Sequence, residues 1–446
     1  MAVIAPRRRP GVTSLDSAEA RDRSARRRVG TAWALLFFNT LTYAPVPGLL
    51  LHIPSHVGKA LAQGALPLAL LLALSVNPKV RLRPNVFLCL VCLLVVDTVI
   101  TAAAVPHLGT EFRTFRLAEF VAALWLLTPW WGRPDMLLLR CQLRCLYVAL
   151  GSVLLALLVA PGHARAFDGR LEGVIWPMTA TQVAQYAAVA AGLTVILWLA
   201  RLLSGRVTLV GVTFAVAILL LTHTRTALAA LVAGILVAGL SLFTINARVR
   251  KVFAAGAAAV SIVVITLSGV VITWLARGEN TGGLASLTGR TNFWALVLNT
   301  PRTRFQEIFG FGLSNASING LPIDSNWLSA YLQEGIFGVL VCAMILVWLF
   351  VVAFFRPRGV RRALALFLVT YCTLASFTED AFSDVSTYLL HLTVAASLLI
   401  APLARQEIFT PSRRPPEDHR TDGESSDPAG RAAADLLTNA KLRLVP

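Results

Sequence analysis

Long apolar runs recur along the whole chain, and that repetition restricts the possible folds more than any motif does. A helix needs about 20 apolar residues to cross the hydrocarbon core of a bilayer. About twelve stretches qualify, near 31–51, 57–76, 86–105, 116–131, 145–161, 179–200, 208–222, 226–245, 252–275, 333–355, 363–378 and 388–403. The expected fold is therefore an all-α polytopic integral membrane protein with one long outer loop. Pro45 and Pro47 would kink the first stretch, and only Thr222-His223-Thr224-Arg225 separates the seventh from the eighth. Of the 446 residues 56% are hydrophobic and 14% charged. A globular domain carries roughly a quarter charged residues, so an ordinary soluble enzyme is excluded.

The charge is lopsided, with 40 Lys+Arg against 23 Asp+Glu and a net +17. In a soluble chain this would suggest nucleic acid. Here the arginines fall between apolar stretches, so orientation explains most of them and no nucleic-acid partner is expected. If the basic arm 1–30 is cytoplasmic, the even-numbered connections are too. They carry clusters such as Lys79, Arg81 and Arg83, and Arg133, Arg140 and Arg144. Thirty of the forty cations then lie inside or in the two termini. The ten outside are Lys59, Arg113, Arg116, Arg165, Arg170, Arg225, Arg277, Arg290, Arg302 and Arg304. The arm runs into a span of anchor length without a small-residue cleavage site, so it reads as an anchor. A helical domain over 31–403 follows, and 404–446 reads as a disordered cytoplasmic tail.

Cys89 and Cys92 fall inside a span, Cys141 and Cys145 begin one, and Cys342 and Cys372 are solitary. They read as small packing residues, with no disulfide and no structural metal expected.

The long outer connection, 276–325, is where chemistry is expected. It contains a short amphipathic helix over residues 289–298 with Phe293 and Trp294, then Pro301, Gly310-Phe311-Gly312, and Asp324-Ser325-Asn326-Trp327 at the entry to the next span. A periplasmic cap would look partly similar. A second outer segment, 162–182, alternates Arg165, Asp168, Arg170 and Glu172 before Trp176, Pro177 and Gln182, which also fits a surface ion-pair cluster. Single arginines at these depths can simply snorkel to lipid phosphates. Several converging on one cavity would instead make a site for a dianion such as a diphosphate, because a guanidinium binds two phosphate oxygens and keeps its charge.

Four stretches, in this order, resemble the O-antigen ligase and O-antigen polymerase superfamily of bacterial membrane glycosyltransferases. They are Gly169-Arg170-Leu171-Glu172-Gly173 with Pro177; Thr224-Arg225-Thr226-Ala227 opening an apolar run; Thr288-Gly289-Arg290 with Trp294 and then Gly310-Phe311-Gly312; and Asp324-Ser325 with Glu334-Gly335-Ile336-Phe337-Gly338. Together they cover roughly 165–340, and the flanking spans match only in number and hydropathy.

The resemblance implies a metal-independent, cofactor-free, inverting enzyme at the outer face of the bacterial cytoplasmic membrane; the charge pattern gives the expectation that both termini are cytoplasmic. Its donor would be a polyprenyl-diphosphate-linked glycan, and its acceptor a glycan, a lipid core or a protein. Arg170, Arg225 and Arg290 fall where the family places diphosphate-binding arginines. Family ligases commonly carry His before Asn, Ser or Gln, then nine residues, Gly, two residues and Gly. Ser325, Gly335 and Gly338 keep that spacing, but the His position is Asp324, which leans toward a polymerase or an uncharacterised branch.

A carboxylate can still take the acceptor proton when the leaving group departs readily, and Asp324 is the candidate base unless it serves as a helix N-cap. Glu172 and His223 are reserve candidates. Trp176, Trp294, Trp327 and Asn326 could meet the sugar, as could Glu379, Asp380 and Asp384. The rival reading is a transporter or flippase of a lipid-linked oligosaccharide, for which Asp97 is the one clear mid-span acid.

Overall fold

A computed structural model of the chain describes residues 12–41, 43, 49–51, 53–104, 107–165, 169–256, 258, 266, 290–314, 317–318, 321–323, 325–379 and 384–401. The side chains of 12–18, 290–293, 317–318 and 321–322 lie outside that set. The described residues belong to one compact unit within Met1–Pro402, and the expected tail beyond it lies outside them.

The unit is helical: α1 (Val12–Thr40), α2 (Ser55–Val76), α3 (Val86–Ala104), α4 (Leu108–Leu126), α5 (Leu137–Val159), the short α6 (Pro161–Ala164), α7 (Ala180–Leu199), α8 (Gly205–Leu221) and α9 (Arg225–Phe243). After a helical run at 247–256 come α10 (Arg290–Asn299), α11 (Arg304–Phe309), α12 (Asn326–Phe355), α13 (Val360–Ala375) and α14 (Thr387–Leu399). Ser317–Ile318 and Leu321–Pro322 pair as a two-residue antiparallel ribbon. Among the described residues six helices, α2, α3, α5, α7, α9 and α12, are long and apolar enough to cross a membrane; α8 and α14 are shorter apolar helices.

Several helices start earlier than the apolar runs. α4 begins at Leu108 rather than near 116, and α5 at Leu137 rather than near 145. Their first turns carry Glu111 and Arg113, or Arg140 and Arg144, which helices tolerate but a hydropathy window rejects. α1 ends at Thr40 instead of running to 51, and Tyr43 turns to donate its hydroxyl to Ile53 O at 2.7 Å. Pro45 and Pro47 lie outside the described residues, as does most of 252–275.

Small residues let the central helices approach closely. α7 is buried along almost its whole length and is rich in Ala. The Phe367 ring of α13 fills the space a side chain would need at both Gly192 of α7 and Gly234 of α9. Without lipid-excluding pressure between helices, such packing is what holds them together.

Polar contacts fix the two ends of the bundle. At one end Arg26 pairs with Asp22 (2.6 Å) and Asp135 (2.8 Å), Arg361 donates to Gly132 O, and Gly132 N–H reaches Ser397 O at 3.1 Å. Seven residues farther along both helices, Trp33 Nε1 donates to Gln142 at 2.8 Å, so α1 and α5 run parallel. At the other end Arg116 donates to Asn39 Oδ1 and Asn39 O (3.2 and 3.1 Å), and Arg113 pairs with Asp384 at 3.3 Å. Thr40 spends its proton on Phe37 O (2.6 Å), so Thr387 donates to Thr40 (2.8 Å) and Tyr186 to Thr387 (3.2 Å).

Candidate functional site

The segment before α7 folds onto the turn between α8 and α9. Gly169, at φ +68°, turns the chain in a conformation glycine favours. Leu171 N–H then bonds Leu221 O at 3.1 Å, and Glu172 N–H bonds Ala164 O at 3.0 Å. Arg170 reaches across that turn, with Nε donating to Thr222 O at 3.1 Å and Nη2 to Thr224 Oγ1 at 3.2 Å. Two of its five N–H donors thus go to protein oxygens, and its structural effect is to brace the residues that introduce Arg225.

Arg225 is the first residue of α9 and is half-buried. A cation there runs against the helix dipole, which favours anions at the N-terminus. The N-cap, Thr224, makes no side-chain cap bond to the helix, because its hydroxyl accepts from Arg170 and donates to Thr222 O at 3.3 Å. First-turn N–H groups without a side-chain cap, beside a guanidinium, present a positive cradle. His223, between them, holds φ +51°, a left-handed conformation uncommon for a residue with a side chain. Strain of this kind persists only where its surroundings enforce it.

Glu172 is half-buried beside this turn. Burial raises its carboxyl above the ordinary glutamate value, while the Ala180 N–H and Arg170 pull it partly back. The sequence segment's Gln182 forms a capping box with Thr179 (3.2 and 3.4 Å) and so starts α7. Trp176 is also committed: its ring packs on Phe38 and Tyr43, with centroids 4.8 and 5.2 Å away, and its Nε1 donates to Leu41 O at 3.1 Å.

A second junction joins the segment 290–314 to α12. That helix breaks at Gly335, which holds φ +65° and ψ −161°. The break frees carbonyls that the loop then uses: Phe311 N–H bonds Leu332 O at 2.9 Å and Gly312 N–H bonds Gln333 O at 2.8 Å. Gly310 (φ +79°) lies against the Gln333 backbone and Gly335 against the Ile308 carbonyl, each so closely that a Cβ would clash. Gly312 touches Thr110, where a Cβ would come within 2.7 Å, and so links the loop to α4. Gln333 donates to Ser329 Oγ at 2.6 Å and accepts from Ser314 N–H at 3.1 Å. Glu334, fully buried, packs against Gly338.

Arg302, counted in the sequence only as an outer cation, pins this loop. It donates to Tyr331 O (2.9 Å) and Val297 O (3.0 Å) and lies 4.0 Å over the Tyr331 ring. Its pKa is pushed down by burial, against the attraction of Tyr331 and Glu307. The Thr303 and Gln306 capping box that opens α11 was legible as a Thr-x-x-Gln spacing.

Arg170, Glu172, His223 and Arg225 are therefore brought together. Arg290 is the first residue of α10, with its side chain outside the described set, and Trp294 is half-buried on the same helix. Asp324, Asp168 and Asp380 lie outside the described residues. Asn326 is fully buried, its N–H on Ser376 O at 2.9 Å. Trp327 packs near Phe377, with centroids 5.9 Å apart. Glu379 is half-buried, and Asp384 pairs with Arg113. No protein-family model matches the chain, and no curated protein matches it either.

Proposed function

We propose that the chain is a bacterial cell-envelope glycosyltransferase of about twelve spans that transfers or polymerises a polyprenyl-diphosphate-linked glycan at the outer face of the cytoplasmic membrane. One observation carries this reading. The four stretches that resemble the O-antigen ligase and polymerase superfamily are joined two by two: Arg170 bonds the turn before Arg225, and Gly310-Phe311-Gly312 bonds the break at Gly335.

On this reading the acceptor hydroxyl oxygen attacks the anomeric carbon and the bond from that carbon to the diphosphate oxygen breaks. The hydroxyl proton passes to the Asp324 carboxylate, and the lipid diphosphate leaves with the bonding pair. The acceptor is a glycan, a lipid core or a protein. Arg225 and Arg290 hold the charge that grows on the diphosphate, each contributing on the order of 2.7–4 kcal/mol by analogy with an oxyanion donor. Arg170 positions Arg225, and Trp294 meets the acceptor sugar.

A transporter of the lipid-linked oligosaccharide is the second reading, favoured by Asp97. It is fully buried midway along α3, with both carboxyl oxygens lacking a hydrogen-bond partner among the described residues. Buried acids of that kind mark substrate or proton paths in carriers. Vesicles holding the purified protein and a donor labelled separately in lipid and glycan separate the two. Parting of the labels supports the transferase, whereas movement of both across the bilayer together refutes it.

A further inference from the structure

We propose that the groove between α1 and α5 binds an anionic glycerophospholipid, with its phosphodiester on Arg27, Arg140 and Arg144 and an acyl chain lying along the groove. The cavity measures about 910 Å³. Because α1 and α5 run parallel, the same pattern appears on both walls. On α1, Arg27 precedes Thr31, Ala34 and Phe38; on α5, Arg140 and Arg144 precede Val148 and Ser152. The cations therefore collect at one end, and an apolar trough leads away from them toward Trp176 and Met178. From Arg27 to Leu41 the trough is roughly 21 Å long at the helical rise, comparable to one leaflet's acyl chains.

Charge selects the occupant. Arg26 is satisfied by Asp22 and Asp135, but Arg27, Arg140 and Arg144 have no ion-pair partner among the described residues. They are exposed, and the trough above them is open, with Val148 74% exposed. Three uncompensated guanidiniums beside an open apolar trough fit a ligand with a phosphate head and a hydrocarbon tail. A second cavity of about 410 Å³, lined by Arg140, Arg144 and Tyr147, extends the cationic end. Its cationic end lies at the opposite end of the bundle from the Arg113–Asp384 pair, and the proposal does not depend on the transferase reading.

The test is titration of the delipidated full-length protein in neutral detergent with phosphatidylglycerol or phosphatidylcholine, followed by native mass spectrometry. At about a fivefold gain per cation, three arginines give saturable phosphatidylglycerol binding about 100-fold tighter than phosphatidylcholine. Arg140→Gln with Arg144→Gln should lower it about 30-fold. Val148→Trp, which fills the trough but keeps the charge, should also abolish it, whereas Arg81→Gln should leave it unchanged. Equal affinity for the two lipids, an equal loss in Arg81→Gln, or full competition by inorganic phosphate overturns the proposal.

Discussion

Replacing Gly335 by alanine probes the junction between the segment 290–314 and α12. At φ +65° and ψ −161° the backbone occupies a region essentially reserved for glycine, which costs a side-chain-bearing residue about 1–3 kcal/mol. The new methyl would also collide with the Ile308 carbonyl, so relief of strain means moving the loop away. That movement gives up the Phe311-to-Leu332 and Gly312-to-Gln333 bonds, each worth about 1 kcal/mol net. Because relieving the strain is what breaks the bonds, the two contributions overlap in part and leave about 2–4 kcal/mol, or on the order of 10–10³ in the docking equilibrium. Amide hydrogen exchange reads this directly, because the Phe311 and Gly312 amides should lose protection in Gly335→Ala. Gly359→Ala is the control, since a Cβ there meets nothing within 4 Å. Unchanged exchange at both amides in a folded Gly335→Ala protein would refute the junction.

Arg170→Gln and Arg170→Lys both lose the two-point brace on Thr222 and Thr224. With a half-buried side chain the loss is about 2 kcal/mol, so glycan transfer should fall roughly 30-fold although the Arg225 side chain itself is unchanged. Arg302→Met removes the bonds to Tyr331 and Val297 along with the ring contact, and limited proteolysis within 290–314 should accelerate by about tenfold or more. Arg225→Ala should lower turnover by about 10²–10³ without changing membrane insertion, as measured in single-turnover assays. Glu172 has a folded pKa above its unfolded value, so the folded state holds this proton to higher pH than the unfolded state does. Stability should therefore fall as pH rises between the ordinary glutamate value and the raised one, and Glu172→Gln should flatten that slope in thermal unfolding.

Apolar length made α2, α3, α7, α9 and α13 legible to within a few residues, because their charged residues are few and, apart from Asp97 in α3, sit near the ends. It failed at the starts of α4, α5 and α12. There Arg113, Arg140, Gln333 and Glu334 are helical yet polar: Arg113 and Gln333 are held by Asp384 and by the loop, contacts that no local window registers, and Arg140 is exposed on the first turn of α5. The motifs were legible as short strings, but their pairing was not. Nothing near Arg170 indicates that its partners are Thr222 and Thr224, some fifty residues on. Gly310 and Gly335 carry no chemistry of their own; only the broken helix reveals why both are glycine. The brace formed by Arg302 was hidden for the same reason, since its partners are a carbonyl and a ring on a distant helix.

The central claim is that a bond breaks at this site. Purified protein given a polyprenyl-diphosphate glycan and an acceptor should release one polyprenyl diphosphate for each glycan transferred, with release dependent on the acceptor and lost in Arg225→Ala and Asp324→Ala. Donor that remains intact under those conditions, or release that is the same in both variants, contradicts the account.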